Sequence, residues 1–176
     1  MRYWVFAVLV LAALLITGCE ASSDAQSLTI GAQQPVTGRD LRIVAGQTVY
    51  VPAYSEVFIR QNIPNVELSV TLAIHNTDLN NAIIIRSVRY YDTDGTLVRD
   101  YITDPVEVAP LATTGFLVED IDRSGGWGSN FIVEWGAENP VYEPVIEAIM
   151  IGTRNAYGIS LISPGRVLSQ APEIDN

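Results

Sequence analysis

Three carboxylates, Glu119, Asp120 and Asp122, stand just before the run Ser124-Gly125-Gly126-Trp127-Gly128-Ser129-Asn130. Clustered carboxylate oxygens hold divalent cations, and two acids held ~5–9.5 Å apart cleave glycosidic bonds. Trp127 offers an aromatic face to a ligand ring, and the glycines permit positive φ. Glu119, Asp120, Asp122, Trp127 and Asn130 are therefore the candidate ligand-binding residues. Glu134 joins the three acids as a candidate for acid–base chemistry on an envelope glycan. The same stretch also suits a solvated corner between two strands, where Asp and Asn side chains satisfy loop amides. That reading requires no ligand and is preferred. It gives Asn130 the task of tying loop amides to the sheet edge.

Other chemistries fail on residue type. The glycine run is no dinucleotide fingerprint, because no helix follows, and no phosphate-binding Walker loop, because the chain contains no lysine. Asp92-Thr93-Asp94-Gly95 begins like a calcium loop but has no glutamate at loop position twelve, and it reads as a hairpin turn. His75 is the single histidine, so two-histidine zinc and iron sites are excluded within one chain. No G-x-S-x-G elbow accompanies it, and a hydrogen-bonded strand histidine is expected. Cys19 is the single cysteine, which rules out an internal disulfide. No catalytic residue, metal or cofactor is assigned.

Cys19 carries a different message. One positive charge, Arg2, precedes an apolar run over residues 3–16, shorter than the ~20 residues that span a bilayer as a helix. Ile16-Thr17-Gly18-Cys19 closes it, and this motif resembles the bacterial lipobox. The resemblance implies cleavage after Gly18, a diacylglyceryl thioether on Cys19 and an added acyl chain of the palmitate type. It places the chain in the cell envelope, facing the periplasm. Glu20, where Asp would signal retention, favours the outer membrane over the inner.

Twenty acidic residues against ten arginines give a net charge of −10. Such a surface repels nucleic acid and anionic headgroups. The partners expected are the membrane, through Cys19, and an envelope protein or glycan.

These residues need a scaffold, and the pattern supplies strands. Residues 1–18 are the export signal, 19–40 a lipidated cysteine and polar tether, and 41–176 a single folded domain. Val66, Leu68, Val70, Leu72 and Ile74 alternate with more polar neighbours, the mark of a half-buried strand. Residues 82–92 form a second long strand whose parity slips at Arg86, which predicts a bulge. Further strands are expected at 48–52, 54–60, 97–102, 113–119, 130–135, 145–152, 157–162 and 165–168. Arg86, Arg89 and Arg99 are expected to pair with Asp92, Asp100 or Asp104 across a hairpin. Turn residues punctuate the runs, and no helical period persists. The fold expected is all-β, an immunoglobulin-like sandwich, with a small closed barrel as the alternative.

Several stretches together resemble a bacterial lipoprotein family known as domain of unknown function 3124. They are residues 49–55, 72–78, 88–95, 125–135, 143–152 and 158–160, so the likeness spans about 48–167. His75 stands where the family pattern has arginine. The resemblance implies membership and export and carries no activity. The functions in view are a non-enzymatic binding or scaffold module, a carboxylate-based glycan hydrolase, and a calcium-binding module.

Overall fold

Period-two alternation builds two antiparallel sheets around one core. The computed structural model describes residues 29–38, 40–62, 64–152 and 158–170. Cys19, the expected export signal and the first part of the expected tether lie outside the described residues. The strands are β1 (Thr29–Gly31), β2 (Gln34–Pro35), β3 (Ala45–Pro52), β4 (Glu56–Val57), β5 (Val66–Glu67), β6 (Ser69–His75) and β7 (Ile83–Tyr91). They continue with β8 (Leu97–Asp100), β9 (Val106–Val108), β10 (Thr113–Val118), β11 (Asn130–Ala137), β12 (Val145–Gly152), β13 (Ile159–Pro164) and β14 (Arg166–Gln170). No helix occurs among the described residues.

One main sheet runs β1-β10-β6-β12-β13; the other runs β14-β3-β11-β7-β9-β2, with β8 on the later half of β7, while β4 and β5 pair in a separate two-stranded ribbon. Neither closes on itself, so the barrel alternative is set aside in favour of the sandwich. The inner pairs, β6 with β10 and β7 with β11, are those of an immunoglobulin-like sandwich. The outer places are exchanged: the early strand β3 borders β11, while the late strand β12 borders β6.

Val70, Leu72 and Ile74 of β6 pack in one core with Phe131, Val133 and Trp135 of β11 and Val88 and Tyr90 of β7. Each fully buried aliphatic or aromatic side chain of this kind contributes about 1.5–3 kcal/mol. The Trp135 indole donates to buried Gln47, whose amide donates in turn to Glu143 at 2.7 Å. The bulge lies where the parity slips: Glu134 pairs with Ser87 and Trp135 with Ile85, leaving Arg86 as the extra residue. Both flanking halves of β7 thereby keep their apolar side chains inward.

Three expectations are corrected. The alternating run from Val66 is two strands, because the Leu68 amide turns away to the Ser55 carbonyl; Val66 and Leu68 stay buried. Of residues 54–60 only β4 is a strand. Part of the supposed tether is folded in, with β1 on the edge of one sheet and β2 on the edge of the other. Short edge strands join chiefly through backbone bonds, so they need no side-chain periodicity.

Candidate functional site

The 119–129 corner links the two sheets, carrying the chain from β10 to β11. Its first turn is closed by the Asp122 amide on the Glu119 carbonyl. Ser55 and Thr93 then hold the glycines from the two neighbouring loops. The Thr93 amide and hydroxyl both donate to the Gly125 carbonyl, and the Gly128 amide donates back to the Thr93 oxygen at 3.0 Å. The Ser55 amide and hydroxyl both donate to the Gly126 carbonyl. Gly126 has φ +73, and a Cβ there would press on the Thr93 hydroxyl. The Ser129 hydroxyl donates to the Ala53 carbonyl at 2.9 Å. Ser129 thus ties the corner to the sheet edge, the task the sequence gives to Asn130. Asn130 lies half-buried on the outer face of β11, opposite Pro52 and Tyr91.

The acids do not converge. Asp122 accepts from the Arg99 guanidinium at 2.9 Å and from both the amide and hydroxyl of Ser124. Burial opposes its ionisation, but the Ser124 donors and Arg99 outweigh it and hold the carboxyl below its ordinary range. Arg99 also donates to the Tyr101 hydroxyl, which itself donates to the Leu117 carbonyl. Burial pushes the Tyr101 phenol up to about 12. Glu134 pairs with Arg89 on the outer face of the larger sheet, and Glu67 pairs with Arg123. The arginine pairs expected across the β7–β8 hairpin are therefore replaced. Arg89 reaches across the sheet to β11, and Arg99 reaches off it to the corner. Among the described residues no group of three or more His, Asp or Glu side chains is placed to hold a metal ion.

Beside Asp122, which is held by Arg99 and Ser124, the corner also presents apolar groups. Trp127 is 53% exposed, and its ring lies 6.1 Å from that of Phe58, which is 62% exposed on the β4–β5 loop. Ile59, next to Phe58, and Ile121, earlier in the corner than Trp127, are exposed on the same two loops. Sequence reasoning found Trp127 but missed Phe58, Ser55, Thr93 and Arg99. The single legible signal was the apolar pair Phe58-Ile59 just before the polar run Arg60-Gln61-Asn62.

The other sites read from sequence are structural. His75 shares a hydrogen bond with Thr113 across the β6–β10 pair. Asp92 accepts from the amides of Asp94 and Thr96, and Gly95 takes φ +81, as a hairpin turn requires. The following Asn76-Thr77-Asp78 clasps the opposite end of the sandwich. The Asn76 amide reaches the carbonyls of Asn81, Val108 and Ala109, while Asp78 collects the amides of Asn80, Asn81 and Tyr142. The Asn80 and Asn81 amides foremost hold the Asp78 carboxyl below its ordinary range.

Fold and corner together define an all-β sandwich module in which Asp122 and Glu134 are paired with arginine and the sheet-linking corner offers an aromatic pair. The chain belongs to the family described as protein of unknown function DUF3124, which matches residues 46–168. No curated protein matches it. Among solved structures it is similar to Thermotoga maritima 1070, at 13% identity and a TM-score of 0.38, over 68% of this chain and 92% of that one.

Proposed function

We propose that this protein is a lipid-anchored, extracytoplasmic binding module of the cell envelope that performs no catalysis and makes contact through the corner, Trp127 foremost. The exposed Phe58–Trp127 pair carries this reading. It is a large apolar contact group set on a corner braced by Ser55, Thr93 and Ser129, and contact residues on rigid supports lose little freedom on binding. The rival glycan hydrolase needs one carboxyl with a raised pKa to act as general acid. Asp122 is shifted the other way and is bound to Arg99, and Glu134 is bound to Arg89. The lipobox at Cys19 supplies the anchor.

The test is a photo-crosslinking residue at position 127, carried by the wild type and by Cys19→Ser. The wild type is expected in the membrane fraction, crosslinked to an envelope component. Cys19→Ser is expected as an uncleaved precursor. A crosslinker at exposed Arg86, on the flank, is expected to capture little. Wild-type protein soluble without detergent would sink the anchor. Release of reducing ends from envelope glycan, lost in Glu134→Gln, would establish the hydrolase instead.

A further inference from the structure

The described chain begins at Thr29, and its position in the sheet fixes which end of the sandwich the amino terminus serves. β1 runs against β10, with Thr29 opposite Phe116 and Gly31 opposite Thr114. Thr29 is therefore the residue of β1 nearest the end of β10, where the chain turns into the corner. The start of β11, the end of β3 and the β7–β8 hairpin lie at this same end, because Asn130 pairs with both Pro52 and Tyr91. Cys19 stands ten residues before Thr29. A chain extends at most ~3.3–3.6 Å per residue, so whatever its conformation Thr29 stays within roughly 35 Å of Cys19.

Resting on the reading of Cys19 as the anchor, we infer that the corner's partner is the lipid bilayer itself, with Trp127, Phe58 and Ile59 seated in its interface. The side chains are of the right kind: tryptophan with bulky apolar neighbours favours the headgroup level of a membrane. The charge limits the mode of contact. The chain has no lysine and a net charge of −10, so attraction to anionic headgroups cannot supply the contact and apolar insertion must. A patch of three side chains binds a membrane weakly by itself. A short tether raises its effective concentration into the millimolar range, where weak contacts are populated. The opposite end exposes Leu79, Leu111 and Tyr142. β11 alone spans eight residues, about 26 Å at ~3.3 Å per residue, so that end lies farther from Thr29 than the corner does.

The test uses the full-length protein, processed by its own host, in phosphatidylcholine vesicles whose acyl chains carry bromine, which quenches nearby tryptophan. Trp135 is buried, so the difference between wild type and Trp127→Phe reads Trp127 alone. Loss of Trp127 emission is expected. The loss should be reversed in Phe58→Ser/Ile59→Ser, unchanged in Leu79→Ser, and insensitive to added salt. Mass measurement of Cys19 in the same samples separates the two readings. An acylated chain whose Trp127 keeps its emission overturns the membrane contact and leaves the anchor standing. An unacylated chain refutes the anchor and with it the contact inferred from it, since the untethered patch binds too weakly to seat itself.

Discussion

Tyr90 and Gly125 interlock: the Tyr90 hydroxyl occupies the place where a side chain at position 125 would begin. Tyr90 is fully buried against Phe131, with ring centroids 4.9 Å apart, and its hydroxyl reaches up under the corner. Burial raises its pKa, against the pull of the nearby Ser129 and Ser55 hydroxyls. Both hydroxyls donate elsewhere, to the Ala53 and Gly126 carbonyls, and the Tyr90 oxygen completes no well-formed hydrogen bond.

Gly125→Ala is therefore expected to destabilise by about 1–3 kcal/mol through overpacking. Tyr90→Phe is expected to cost little, since the oxygen it removes is poorly partnered. Combined, the two should cost less than their sum, because the phenylalanine frees part of the space the new methyl needs. Denaturant melts of the four proteins measure the coupling; simple additivity would refute the interlock.

The corner should rank by its bracing and not by its acids. Gly126→Val forces a β-branched residue to positive φ against Thr93, and Ser129→Ala strands the Ala53 carbonyl, a loss of about 1–3 kcal/mol for a buried group. Both should lower Tm clearly. Asp122→Ala should lower it less, and Glu119→Ala least, since the Glu119 side chain is exposed and its carbonyl bond survives. Calcium or chelator should leave all these curves in place. A wild-type rise in Tm with calcium, absent in Asp122→Ala, would make the corner a metal site.

Acid should loosen the two ends of the sandwich together. Asp122 and Asp78 titrate below 3.8 when folded, so the stability they confer is present above that value. It is lost as the pH falls through their lower folded-state values, because the unfolded chain takes up protons first. Asp122→Asn and Asp78→Asn should each be less stable than wild type at neutral pH and show a shallower loss towards pH 2. Urea midpoints across that range test the sign.

Alkali should act through Tyr101. Its phenol ionises near 10.0 when unfolded and about 12 when folded, so stability holds below pH 10 and falls as the pH climbs between those values. Tyr101→Phe should shallow that decline while losing the bonds to Arg99 and the Leu117 carbonyl. The slope of stability against pH above 10 is the measurement.

Much of the scaffold was legible because it rests on side-chain parity. The inward faces of β6 and β11, the bulge at Arg86 and the turn at Gly95 all follow from which residues must be buried and which must bend. β1 and β2 were not legible, since an edge strand joins through its amides and carbonyls whatever its side chains. The partners of Arg89 and Arg99 were not legible either. They depend on which strands lie side by side and on where a loop folds back, and neither is written in local spacing. At the candidate site, Trp127 and the conformational need for glycine could be read directly. The latch of Thr93 and Ser55 could not, because those residues reach the corner from loops distant in sequence.

The exchanged outer strands bear on how the chain acquires its fold. β3, among the first long strands to be made, finds its principal neighbour in β11, and β6 finds its neighbours in β10 and β12. Closing such distant pairs is slow, since the entropy of a long loop is spent before any contact rewards it. A polypeptide emerging amino end first can complete neither sheet until β11 and β12 have appeared. Folding is thereby postponed to the end of emergence, and a pore that passes only an unfolded strand would never meet a finished domain.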